Sequence, residues 1–271
     1  MPPVHDAVQH TAHIEDYPVH YTEAGHGDIL LLIHGSLCDY RYWRWQIPAL
    51  SQHYRVVAPS LRGFWPAAFQ HEDASFNVAR HTRDMIAFAR YLSSDKPIHV
   101  LGHSRGAQIA LGLACEAPQA VRSLILADPG FRIVNEAPNP ALHSDVAALL
   151  ERGEVEPALS AFVDAVNGTG TWRQMVGWFK TMVKDNAYTL LSQVRETNSG
   201  IDLDAARRLQ CPVLLIGGAN SPARYGDRLD ILEKTFPNTV RITIPLASHG
   251  MNLANPRAFN QAVEDFLARN E

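Results

Sequence analysis

The chain has 271 residues, 46% of them hydrophobic, with a net charge of −4, which is enough for one large α/β core. No basic run exceeds two residues, no stretch approaches a membrane span, and residues 1–13 are polar, so a nucleic-acid footprint, a membrane anchor and a signal peptide are not expected. Three cysteines lack CxxC spacing and thirteen histidines lack metal-ligand spacing, so neither a disulfide framework nor a metal site is expected, and the expected compartment is the cytoplasm.

Residues 12–24 alternate and predict one or two antiparallel edge strands, with Pro18 tolerable only at an edge or turn. Residues 29–33 are apolar without alternation, as in a central strand covered on both faces, and end in His34-Gly35-Ser36-Leu37. A helix around 42–50 and a strand over 54–59 follow, the latter leading into Leu61-Arg62-Gly63-Phe64. Ser75 is the expected N-cap of a helix running to Leu92, with Val78, Met85, Ala89 and Leu92 as its apolar stripe. Residues 97–101 read as a strand and 107–115 as a helix. Residues 121–127 form another central strand, stopping at Asp128-Pro129-Gly130. Strands alternating with helices predict a parallel sheet with right-handed crossovers.

Residues 131–208 break that rhythm, with helical patterns and no convincing strand. The expected division is a core of residues 1–130 and 209–271 and an inserted helical cap of residues 131–208. Residues 211–217 resume the sheet. A helix near 225–235 and a strand over 240–244 follow, and the strand leads to Ala247-Ser248-His249-Gly250. Asn255 caps the last helix, Pro256 is its first residue, and Phe259, Val263, Phe266 and Leu267 share one face.

The strand and helix on either side of Gly102-His103-Ser104-Arg105-Gly106 give that motif its meaning. G-x-S-x-G between a strand and a helix is a nucleophile elbow: two glycines let the backbones pass closely and Ser104 is presented at the positive end of the helix. A serine hydroxyl needs an adjacent base. His249, just past a late strand and ahead of Gly250, is the candidate, taking the proton and returning it to the leaving group. Activity is then expected to fall below about pH 6, near the ordinary histidine range.

His34-Gly35 after a strand, the elbow at Ser104, a strand-end acid and the late His249, in the order Ser, acid, His, resemble the α/β-hydrolase superfamily. The resemblance spans residues 15–270. It implies a mostly parallel eight-stranded sheet with helices on both faces, a cap between the sixth and seventh strands, and a Ser–His–acid triad that uses no cofactor. Many relatives carry the acid after the seventh strand, where this chain has Gly217-Gly218-Ala219-Asn220 and no charge. Haloalkane dehalogenases and certain lactonases place it after the sixth strand, where Asp128 stands. Asp128 is favoured, and Asp227, deep in the following helix, is the next choice. Relatives with aspartate at the nucleophile attack alkyl carbon, whereas Ser104 points to acyl transfer.

The tetrahedral intermediate needs two preorganised donors. One is the backbone N–H of Arg105; by resemblance to esterases with an H-G-x-L pattern, the other is that of Ser36, with Leu37 beside it. The Arg105 side chain is left between pairing with a carboxylate, touching substrate and lying at the surface. The Ser36 hydroxyl is expected to cap its local turn, His34 to brace the loop, and Cys38 to be an inert buried thiol. Trp172, Met175, Phe179 and Met182 fall on one face of a single helix with Trp178 beside them. Trp172, Met175, Trp178 and Phe179, with Leu37, are the candidate substrate-binding residues, suited to an apolar or aromatic group. Phe64 and Trp65 are left between reaching the pocket rim and filling a gap.

The expected function is a serine hydrolase cleaving a carboxylic ester or lactone, its partner a small-molecule substrate, with homodimerisation left open. The alternatives are a C–C bond hydrolase acting on vinylogous diketones, which would need a base such as Arg105 or Arg173 to hold a substrate carboxylate, and a non-catalytic ligand-binding homologue.

Overall fold

A computed structural model describes residues 7–69, 76–133, 141–194, 196 and 200–270. Strands β1 (Val8–Ile14) and β2 (Tyr17–Ala24) form an antiparallel hairpin at one edge. Then come β3 (Ile29–Ile33), α1 (Ile47–Leu50), β4 (Arg55–Pro59), α2 (Val78–Leu92), β5 (Ile98–His103), α3 (Arg105–Glu116) and β6 (Val121–Ala127). The next segment holds β7 (Arg132–Ile133), α4 (Ala141–Glu151), α5 (Val155–Asn167), α6 (Thr171–Gln174), α7 (Gly177–Asp185), α8 (Thr189–Val194), β8 (Gly200–Ile201) and α9 (Leu203–Arg207). The chain closes with β9 (Val213–Gly218), α10 (Ala223–Thr235), β10 (Thr239–Ile244), α11 (Met251–Ala254) and α12 (Pro256–Leu267).

One sheet of eight strands runs in the order β1-β2-β4-β3-β5-β6-β9-β10. It is parallel from β4 to β10, and the antiparallel pairings are those of β2 with β1 and with β4. Pro18 is tolerated in β2 because its pairing with β4 begins only at Tyr21, so no ladder bond on that side needs an N–H from residue 18. The unalternating apolar strands are buried on both faces. Leu30 and Leu32 join Val56, Ile125 and α12 on one side, while Ile29, Leu31 and Ile33 join Val57, Leu124 and α2, α3 and α10 on the other.

Three expectations change. The N-cap of α2 is Asn77, whose side chain accepts the N–H of Arg80 at 2.8 Å, and Ser75 lies outside the described residues. Residues 131–208 do contain strands: β7 and β8 pair in parallel over two residues each, too short to show a pattern. The apolar face over 172–182 belongs to two helices, because Met175 (ψ 138°) and Val176 (ψ 154°) are extended and separate α6 from α7.

Candidate active site

Ser104 occupies a left-handed conformation (φ 55°, ψ −122°) between β5 and α3. Side chains seldom adopt positive φ without surrounding constraint. Here a Cβ on Gly102 would meet Gly106 O at 2.3 Å, and one on Gly106 would meet Ile33 O at 2.2 Å. The strand and helix therefore pass at a distance that only glycine allows, and the turn that results pushes Ser104 outward. The Ser104 N–H extends the ladder to Ala127 O at 3.0 Å, and Gly130 N–H returns to Ser104 O at 3.1 Å.

The same sheet edge delivers Asp128. His103 pairs with Ala127 across β5 and β6, so Ser104 and Asp128 each follow directly on that rung. Asp128 is also held at positive φ (37°), and its N–H donates to Ile216 O at 2.8 Å. Its carboxylate is fully buried. Oδ2 accepts from His249 Nδ1 at 3.2 Å and from the Ser221 hydroxyl at 2.5 Å. That contact leaves His249 Nε2 as the basic nitrogen of the ring. Burial first, then the charge of Arg224, push the His249 imidazole down to about 3. Burial raises the Asp128 carboxyl to about 6, opposed most by the Ser221 hydroxyl. At neutral pH the pair is a neutral imidazole beside a carboxylate. Of the two groups it is the aspartate, not the histidine, whose value lies near pH 6.

The other acid candidate is elsewhere: Asp227 is exposed on α10. Asn220 uses its N–H on Ala247 O at 2.8 Å, tying the loop after β9 to the loop that carries His249.

On the opposite wall, Gly35-Ser36-Leu37 follows β3. Leu37 is held at φ 62°, and Cys38 N–H closes the turn on Gly35 O at 3.4 Å. His34 braces this loop: Nδ1–H donates to Gly35 O at 2.8 Å and Nε2 accepts the Leu61 N–H at 3.0 Å. Burial lowers this imidazole to about 4, so it stays neutral and keeps both contacts. The Ser36 hydroxyl donates to Gln193 Oε1 at 2.7 Å and so reaches α8 instead of capping its own turn. Arg105 opens α3, where the first N–H groups have no intrahelical acceptor. Its side chain turns away to a buried bidentate pair with Glu196.

A cavity of about 450 Å³ joins these walls; Ser36, Leu37, Ser104 and His249 line it together with Met175, Trp178 and Phe179. Trp172 does not line it. Trp172 is buried within the insertion, its Nε1–H bonded to Glu156 at 3.0 Å, because the break after Gln174 turns α6 out of register with α7. Phe64 and Trp65 stay off the cavity too: Phe64 is fully buried against His34, and Trp65 packs under the Arg41 guanidinium. Cys38 is buried yet does line the cavity, and burial holds its thiol protonated.

Sequence reading missed several residues around the site. Ser221 and Tyr225 meet the proposed acid and base from the loop and helix after β9. His103 Nε2–H donates to His249 O at 2.8 Å and anchors the histidine loop to β5. Tyr42, Asn252 and Gln46 continue that anchoring as a buried hydrogen-bond chain. Only His103, beside Ser104 in the G-x-S-x-G motif, carried a local signal.

Among the described residues no group of three His, Cys, Asp or Glu side chains is arranged to hold a metal ion, and no helix is long and apolar enough to cross a membrane.

Residues 30–262 match the model of the alpha/beta hydrolase family. The chain belongs to that family. Its curated relatives include the 2-hydroxy-6-oxo-6-(2'-aminophenyl)hexa-2,4-dienoic acid hydrolase of Metapseudomonas resinovorans, 25% identical over 92% of this chain and 87% of that protein. The pimeloyl-[acyl-carrier protein] methyl ester esterase of Aeromonas hydrophila is 24% identical over 90% and 96%. Among solved structures, the enol-lactonase of Burkholderia xenovorans superposes with a TM-score of 0.81 over 96% of this alpha/beta hydrolase chain and 100% of its own, at 18% identity. The two sequence relatives are hydrolases by name, and the likeness to the solved enol-lactonase is one of fold.

Proposed function

We propose that the protein is a serine hydrolase that cleaves a carboxylic ester or lactone through an acyl-enzyme on Ser104. The observation that carries this is the convergence of Ser104 and His249 on one cavity, with His249 Nδ1 held by the buried Asp128 carboxylate at 3.2 Å. His249 Nε2 takes the Ser104 proton as Oγ attacks the acyl carbon, and gives it to the leaving alkoxide as the acyl–oxygen bond breaks. Asp128 fixes the tautomer and stabilises the imidazolium. The backbone N–H groups of Ser36 and Arg105 receive the oxyanion. Water, deprotonated by His249, then releases the acid and restores Ser104. The helices between β6 and β9 act as a cap whose α6–α7 residues Met175, Trp178 and Phe179 contact the substrate.

C–C bond cleavage is the weaker reading. The two cations considered for holding a substrate carboxylate are placed elsewhere: Arg105 is committed to Glu196, and Arg173 is exposed and off the cavity. A binding module without turnover would have no use for a buried carboxylate aligned on a histidine.

The test is fluorophosphonate labelling together with p-nitrophenyl acetate turnover, on wild type and Ser104→Ala. Labelling and turnover that both vanish in Ser104→Ala support the reading. Folded wild-type protein that neither labels nor turns over refutes it.

A further inference from the structure

We infer that the substrate of this site is uncharged, and that the pocket rejects an ester whose acyl chain carries a carboxylate. The inference rests on the acyl-transfer reading above. Among the described residues, the lining of the cavity includes no Asp, Glu, Lys or Arg side chain. None of the arginines around it lines it, and three of them have polar partners of their own. Arg105 makes its two-pronged bond to Glu196. Arg41 is clamped between Asp39 and Asp185. Arg44 lies against the Trp45 and Trp178 rings, its guanidinium 5.0 and 4.5 Å from their centroids. Arg224 donates to Ala165 O and touches the Tyr225 hydroxyl.

Much of the lining is apolar or aromatic: Leu37, Phe162, Val163, Met175, Trp178 and Phe179. An anion moved there from water loses its hydration and meets no counter-charge in the lining. It also approaches Asp128, which is already buried and negative at neutral pH. The polar groups that do line the cavity, among them Ser36, Asn167, Thr171 and Gln174, are neutral. They can hydrogen-bond a carbonyl or hydroxyl without requiring charge.

The matched substrates are p-nitrophenyl hexanoate, the mono-p-nitrophenyl ester of adipic acid, and the mixed p-nitrophenyl methyl ester of adipic acid. The first and second differ at the chain end by a methyl against a carboxylate, and the third restores neutrality while keeping the oxygens. Expected kcat/KM is roughly 100-fold or more lower for the free acid than for either neutral ester. Met175→Arg, which places a cation in the lining, is expected to raise turnover of the free acid and to lower that of the hexanoate. Free-acid turnover within about threefold of the methyl ester, in wild-type protein that labels at Ser104, overturns the inference and leaves the acyl-transfer reading standing. Failure of all three esters together with absent labelling overturns that reading and this inference with it.

Discussion

Tyr225 lies flat on His249, with ring centroids 4.0 Å apart and planes 15° from parallel. The phenol is buried in the first turn of α10, and its hydroxyl accepts from Arg224 at 3.4 Å. The stack covers one face of the imidazole, so the ring cannot swing away from Asp128 without losing it. The electron-rich face would also favour the imidazolium of the proposed turnover. Tyr225→Phe keeps the stack and is expected to hold kcat within about threefold of wild type. Tyr225→Leu is expected to lower kcat roughly tenfold or more with little change in KM, since the loss falls on proton transfer. Steady-state kinetics on p-nitrophenyl hexanoate separate the two parameters.

Asp128→Asn is expected to cost about 10³–10⁴ in kcat, because the amide holds the imidazole without stabilising its charged form. Asp227→Asn, at an exposed position on α10, is expected to keep near-full activity. The reverse outcome assigns the acid to the later position.

The Ser221 hydroxyl donates to Asp128 and pulls its carboxyl down against burial. Ser221→Ala removes that donor, so the Asp128 carboxyl rises above its present value of about 6. The acid limb of kcat/KM is then expected to move upward by roughly 0.5–1 pH unit. A limb that stays in place or moves down refutes the role given to Asp128.

Among the described residues five histidines are buried, and they are expected to weigh on the acid stability of the fold. Burial holds His34 and His99 near 4, His103 and His249 near 3, and His81 well below its ordinary value. Unfolding frees each of them to take up a proton at its unfolded value of 6.5. Their contribution to stability is therefore full above about pH 6.5 and is lost as the pH falls toward 4. Asp128 acts in the opposite sense between 3.8 and about 6, because its raised carboxyl releases a proton on unfolding. The net expectation is a urea midpoint that drops steeply from pH 7 to pH 5. Each histidine contributes a slope of up to about 1.4 kcal/mol per pH unit. His99, bonded to Ser123 in the sheet and outside the cavity, gives the clean test: His99→Gln is expected to flatten the slope by close to one proton's worth.

The parts of the molecule legible in the sequence are those set by short-range backbone sterics and two-sided burial. Ile29–Ile33 and Val121–Ala127 are apolar at nearly every position because both sheet faces are covered. The elbow was legible because Gly102 and Gly106 stand where any Cβ would strike backbone. The position of Asp128 at the end of the strand beside β5 was legible, while its choice as the acid came from the resemblance. The break between α6 and α7 was not, since Met175 and Val176 continue an apolar spacing while their backbones extend. Tyr225 on His249 and Gln193 on Ser36 were not legible either, because each contact joins segments whose nearness only the tertiary fold creates.

Ser104 and Asp128 each follow directly on the His103–Ala127 rung of the sheet. Adjacent strands are about 4.8 Å apart, so the spacing of these two groups is built by a buried ladder in the middle of the sheet. On heating, the alignment of the proposed nucleophile and acid should survive until the whole sheet melts. The helical insertion shares the apolar cluster on this face of the sheet but adds no strand to the eight-stranded sheet, and is expected to loosen earlier. Selectivity and turnover would then fail at different temperatures, with a hot enzyme growing indiscriminate before it goes silent.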